Sequence, residues 1–202
     1  MEAFERLKTL EILGAIHENL GWDAWLMERF KAARTFSIPA AWAISDPPDL
    51  RQLLYSLWLI RLDLKQIDAI SKRLHFPGAL KADILDAHRL CEFLCDLPIG
   101  LKVSEIVDRL EESRERSLIA AYLALQPDSE AQQALEAYLT QWRSLHPATN
   151  GDDLRGRGLP PGPHYREILW RLRAAWLDGE IQDLDGETRL LEHVLRERDR
   201  HA

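Results

Sequence analysis

The sequence predicts an all-α fold: a multi-helix bundle with a smaller C-terminal helical hairpin unit. Three observations carry this. Apolar residues recur at steps of three and four along almost the whole chain. No stretch alternates apolar and polar residues as a strand would, and Asn150-Gly151 lacks flanking β-branched runs. Leu, Ala, Arg and Glu dominate, residues that favour helix.

The elements follow in order. Leu7, Leu10, Leu13, Ile16 and Leu20 share helix spacing, and Gly21 is a natural stop for that helix. Asp46-Pro47 reads as an N-cap followed by a first-turn proline. Leu50, Leu53, Leu54, Leu57 and Trp58 form the stripe beyond it. Asp63 caps a helix carrying Ile67, Ile70 and Leu74. Pro77-Gly78 separates it from the next, with Leu80, Ile84, Leu85, Cys91 and Leu94 on one face. Pro98 and Gly100 break the chain again. Ser129 and Gln132 fit a capping box that opens a helix towards Trp142. A softer break at Gln126-Pro127-Asp128 suggests a helical body over residues 1–127 and a helical tail over 128–202, with a Gly/Pro hairpin at 151–163.

Composition excludes several classes of function. The net charge of −7 argues against bulk electrostatic binding of nucleic acid, though not against a local basic patch. The two cysteines, Cys91 and Cys95, lie one helical turn apart without a Cys-x-x-Cys partner, so they read as reduced core thiols in a cytoplasmic protein. There is no signal-peptide core. The longest apolar run, Leu53 to Ile60, is interrupted by Ser56 and closed by Arg61, too short to span a bilayer, so no membrane partner is expected. His17, His75 and His88 lack metal-ligand spacing, and no nucleophile motif organises the Ser, His and Asp residues present. The Lys72-Arg73-His75 cluster is a weak signal, and Arg196–His201 mixes charge signs at an end expected to fray.

The informative stretch is NGDDLRGRGLPPGPHYREILWRL, Asn150 to Leu172. Asp152 and Asp153 have no neighbouring strand and no phosphate loop, so Asp153 reads as helix-start chemistry and no metal site is expected. Asp153 to Arg157 forms a short helical turn anchored by Leu154. Gly158 sits where a positive φ belongs, Pro161 and Gly162 stiffen and turn the connector, and Pro163 begins the next helix. On that helix Tyr165, Ile168, Leu169, Leu172, Ala175 and Trp176 share an apolar arc. From Trp142 to Arg173 there are six arginines against three acids, whereas Asp178 to Glu187 holds five acids and no base. This segregation suggests an anion site: Arg155, Arg157, Arg166 and Arg173 as phosphate contacts, His164 as a further donor, and Trp170 as a stacking surface. A structural hairpin with solvated arginines, and a packed Trp170, explain the same residues.

Gly151, Asp153, Leu154, Gly158, Leu159, Pro161, Gly162 and Pro163, followed by Leu177 to Ile181 (LDGEI), resemble the C-terminal portion of bacterial tRNA nucleotidyltransferases, the CCA-adding enzymes and their poly(A) polymerase relatives. The upstream helices resemble that family's body region only in general pattern. The resemblance implies an all-α body and tail that grip the elbow and acceptor region of tRNA, or another structured RNA. It places the chemistry in an N-terminal head carrying a Gly-Gly motif, a metal-binding Asp-x-Asp pair and an Arg-Arg-Asp segment; no Gly-Gly and no Arg-Arg-Asp occurs here, and the Asp-x-Asp string at Asp183-Leu184-Asp185 lies at the opposite end of that layout. No catalytic residue and no cofactor are therefore expected in this chain, Mg2+ belonging to the head. The chain reads as a fragment, a truncated product or a subunit that works with a separate nucleotidyltransferase head. A helical protein-interaction or regulatory module without RNA is the alternative.

Overall fold

A computed structural model describes Arg6 and residues 9–201. Leu7 lies outside the described residues, as do the side chains of Asp199 and His201 in the terminal charged stretch. Among the described residues every regular element is helical, in keeping with the all-α expectation. The chain forms two compact units, one of residues 1–98 and 110–139, the other of residues 99–109 and 140–202.

The first unit begins with α1 (Ile12–Ile16), α2 (Ala24–Thr35) and a 3-10 turn at Ala40–Trp42. It continues with α3 (Leu50–Leu59), α4 (Leu64–Arg73), α5 (Gly78–Cys95), α7 (Glu115–Ala124) and α8 (Glu130–Thr140). Helix α5 packs most extensively on α7, and α3 lies against α2, α5 and α7. Their facing stripes build one core around Leu26, Phe30, Leu57, Ile67, Ile84 and Ile119, all fully buried. Each such side chain contributes about 1.5–3 kcal/mol by leaving water. Trp42 meets Tyr122 edge-on at 4.8 Å and so ties the 3-10 turn to α7.

Several local expectations shift. Helix α1 ends at Ile16, well before Gly21, because His17 turns to extended backbone. Asp49, not Asp46, caps α3: its carboxylate accepts from the Gln52 amide, and the Gln52 side chain accepts from the Asp49 amide. Asp46 instead pairs with Arg116 at 2.6 Å. Asp63 caps α4 as expected, with Gln66 closing the box. At α8 Ser129 Oγ accepts from the Gln132 amide, but the Gln132 side chain accepts from Asp128 rather than Ser129. Lys72 pairs with Asp68 at 2.7 Å, a carboxylate that Lys81 shares.

Three polar ties cross the first unit. His88 Nδ1 lies 2.8 Å from the Ile60 carbonyl. The Glu115 carboxylate accepts from the Ser45 amide and hydroxyl and from the Asp46 amide. Asp83 lies buried beside Arg114, and burial pushes its carboxyl up despite the Arg114 and Arg116 guanidinium groups. Both cysteines are free. Burial pushes the Cys91 thiol up to about 12, which makes it inert, whereas Cys95 is exposed and is not a core residue. Among the described residues no helix is long and apolar enough to cross a membrane.

The second unit holds the segment 99–109, which carries most of α6 (Val103–Glu111), then a 3-10 turn (Trp142–Ser144). Helices α9 (Gly151–Gly156), α10 (His164–Leu177) and α11 (Leu184–His201) complete it. Leu154, Ile168, Leu172 and Leu191 close its core. Asp178, just past α10, accepts from both the amide and the hydroxyl of Ser104, which fastens the start of α6. Glu180 beside it is held below the usual carboxylate range by Arg171 and Lys102.

Candidate functional site

The site is built on the α9–α10 hairpin of the second unit. Asn150 is the N-cap of α9. Its Oδ1 accepts from the Asp152 and Asp153 amides, and the Asp153 carboxylate accepts from the Asn150 amide. The Gly-Asp-Asp triplet is thus the first turn of a capped helix, and no group of three or more His, Cys, Asp or Glu among the described residues could hold a metal ion. Leu154 is the buried anchor of this turn.

Gly158 leaves the helix at φ 85°, and its amide donates to the Arg155 carbonyl. An L-residue there is strained, so Gly158→Ala is expected to destabilise this unit by about 1 kcal/mol in a urea titration. The Tyr165 hydroxyl then bonds the Leu159 carbonyl at 2.7 Å and locks the connector onto α10. At Gly162 a Cβ would sit 2.7 Å from Cε1 of His164, so any side chain there would displace the His164 ring. The His164 ring is packed against Gly162 and edge-on to Tyr165, at 5.2 Å between centroids.

The start of α10 is not a bare row of donors. The Tyr165 and Arg166 amides donate to the Gly162 and Pro163 carbonyls in tight turns, so side chains rather than an open helix end offer the positive groups.

The arginines divide into two kinds. Arg155, Arg157 and Arg166 are exposed, and none has an ion pair or side-chain hydrogen bond among the described residues. Arg171 is paired with Glu180 at 2.7 Å. Arg173 is 8% exposed, and its guanidinium donates to the carbonyls of Leu145, Trp142 and Arg143. It clasps the 3-10 turn and the loop after it, and its centre lies 5.7 Å from the Trp170 ring centroid.

The residues do not converge on one hollow. An open groove of about 580 Å³ is lined by Pro147, Asn150, Gly151, Arg166, Leu169 and Trp170, together with His146, Thr149 and Arg173. A second hollow, on the other flank of α9, holds Arg157 with Asp152, Asp153 and Glu187. Arg155, His164 and the Gly158–Pro163 connector line neither.

Glu187 organises this region. It is 2% exposed, and its carboxylate accepts from the Ala148 and Thr149 amides, the Thr149 hydroxyl and the Trp176 indole N–H, at 2.6 to 3.0 Å. Burial acts to raise its pKa, but the hydrogen bonds from Thr149, Trp176 and Ala148 outweigh burial and hold it below 4.5. Sequence reasoning missed this role. The available signal was position: Glu187 falls at helix spacing with Leu190, Leu191 and Val194, an acid on an apolar stripe.

No protein-family model matches the chain. It is 36% identical over 115 residues to an A-adding tRNA nucleotidyltransferase of Geobacter sulfurreducens, a match covering 49% of this chain and 13% of that protein. Its fold resembles a CCA-adding enzyme of Thermotoga maritima solved in complex with tRNA, with a TM-score of 0.64 and 17% identity, over 95% of this chain and 46% of that one. A CCA-adding enzyme solved with CTP matches equally well in fold, at 16% identity and again over 46% of its length. The chain thus spans less than half of the solved relatives and a small part of the curated one. The likeness to the body and tail region of tRNA nucleotidyltransferases holds in sequence over half the chain and in fold over nearly all of it.

Proposed function

We propose that this chain is the RNA-holding helical part of a tRNA nucleotidyltransferase-like protein. It grips tRNA, or another structured RNA, by phosphate contacts, so that a nucleotidyltransferase head with its own Mg2+ can act on the 3′ end. One observation carries the reading. On the α9–α10 hairpin, Arg155, Arg157 and Arg166 stand exposed with no ion pair or side-chain hydrogen bond among the described residues, while Arg171 and Arg173 close by are held. Leaving three long cations unpaired on one short hairpin is favourable when an extended anionic chain meets them, and guanidinium groups match phosphate oxygens two at a time. The relatives add support: one is named for adding A to tRNA, and another was solved with tRNA bound.

The contact is one of shape and backbone, since the described residues offer helices and no sheet to read bases. The negative total charge then works against indiscriminate binding: the positive groups are local, and the rest of the surface repels nucleic acid.

The test is tRNA binding by the chain across a salt series. Affinity is expected to fall steeply with salt as bound phosphates displace counterions. Replacing Arg155, Arg157 and Arg166 together by Gln should lower the slope of log K against log salt by about two to three, at roughly 0.7–0.9 per phosphate contact. It should also weaken binding by at least about tenfold. An unchanged slope moves the interface elsewhere. Absence of binding at low salt favours a helical protein-interaction module instead.

A further inference from the structure

The groove beside α9 has a property that the arginine grip does not require. Several of its polar side chains offer unengaged donors, and the exposed His146 ring beside them can donate or accept. Asn150 Oδ1 is committed to the Asp152 and Asp153 amides, which leaves its side-chain NH2 without a partner among the described residues. The half-buried Trp170 has an indole N–H in the same condition, and so does the Arg166 guanidinium. Between them the lining is flat and apolar, from Pro147, Leu169 and the Trp170 ring. Thr149, which also lines the groove, directs its hydroxyl to Glu187.

The parts are held in place rather than loose. Arg173 sits over the Trp170 ring with its guanidinium fixed by three carbonyls, which restrains the indole. Capping restrains Asn150. At about 580 Å³ the groove matches the usual size of small-ligand sites.

An aromatic floor, a cation and restrained donors suit a flat ring that carries carbonyl oxygens and has a phosphate beside it. We propose that this groove receives one unstacked nucleobase of the bound RNA. The base lies on Trp170, its carbonyl edge accepts from the Asn150 NH2, and the adjoining phosphate meets Arg166. The inference rests on the RNA-holding reading and adds to it a single-nucleotide subsite. Unstacked bases are what folded RNA presents in loops and at ends, and stacking on an aromatic ring is the sequence-tolerant way to hold them.

Two substitutions isolate the subsite. Asn150→Asp keeps the cap, because Asp serves an N-cap as well as Asn, but replaces the NH2 donor with an acceptor. Trp170→Leu keeps an apolar side chain and removes the ring. Each is measured for fold by circular dichroism, then for binding to tRNA, to a short single-stranded RNA, and to the same oligonucleotide with its bases removed. The wild-type chain should prefer the intact oligonucleotide to the abasic one by about tenfold, the size of one base stacked on one ring. Trp170→Leu should abolish that preference while leaving the salt slope for tRNA unchanged. Asn150→Asp should weaken the intact oligonucleotide more than the abasic one. Equal affinity of the wild type for the two oligonucleotides, or an intact preference in Trp170→Leu, overturns the subsite and leaves the arginine grip standing. Failure of the wild type to bind tRNA at low salt overturns both.

Discussion

Replacing Glu187 by alanine will destabilise the second unit by on the order of 3 kcal/mol or more, the largest single-residue effect expected outside the apolar cores. The buried carboxylate takes four hydrogen bonds, from Ala148, Thr149 (twice) and Trp176. Its loss strands these donors, and the loop ahead of α9 loses its fixed point. Glu187→Gln is the sharper variant. It keeps the shape but turns an NH2 group towards donors, so it should recover little of the stability. Urea unfolding followed by tryptophan fluorescence reads both, since Trp176 itself donates to Glu187.

The same carboxylate predicts a pH dependence. Its pKa is lowered by folding from an ordinary value of 4.5, so the unfolded chain binds the proton more readily. Its stabilisation is therefore complete above that ordinary value, and it declines as the pH falls through 4.5 towards the lower folded pKa. The wild type should lose stability in this acidic window. Glu187→Gln, which has no proton to take up there, should show a flatter profile across it. Parallel curves for the two proteins would mean that Glu187 is not the titrating group.

The second large effect concerns Arg173. Replacing it by methionine keeps the aliphatic stem but removes the donors that satisfy three carbonyls at Trp142, Arg143 and Leu145. A loss of about 2–3 kcal/mol is expected, because the half-buried carbonyls lose the guanidinium, although the Trp142 carbonyl keeps the Leu145 amide. Arg173→Lys should recover only a fraction, since a point-like ammonium cannot reproduce the guanidinium fork. The measurement that separates clasp from phosphate contact is the tRNA salt slope. A clasp predicts loss of stability with the slope unchanged under conditions where the variant is folded. A direct phosphate contact predicts a slope reduced by about 0.7–0.9 with little loss of stability.

The hairpin was readable because its determinants are local. Asn150, Asp153 and Gly158 act within a few residues of themselves, through capping bonds and a positive φ that the backbone demands whatever lies around it. The helix periods were readable for the same reason. Even so, neighbouring caps were confused: Asp46 and Asp49 offer the same chemistry, and only Asp49 lies three residues ahead of a glutamine that closes the box. The division of labour among the arginines was not readable. Arg166 and Arg173 look alike on paper, yet the first faces solvent and the second reaches backward some thirty residues to carbonyls. The hint lay in position, for Arg173 is three and four residues from Trp176, Leu177 and Leu169, a charge on an apolar face.

The sequence by itself determined that the chain is helical, where its hairpin turns and that the Gly-Asp-Asp triplet opens a helix. Each of these follows from spacing and side-chain chemistry within a turn or two. Only the tertiary structure decided which cations are free, that Glu187 anchors the loop ahead of α9, and that residues 99–109 join the C-terminal unit through Ser104 and Asp178. Those outcomes depend on which distant groups become neighbours once the apolar stripes have packed. A buried charge takes whatever partners that packing brings within hydrogen-bond reach, and one-dimensional order does not encode that distance.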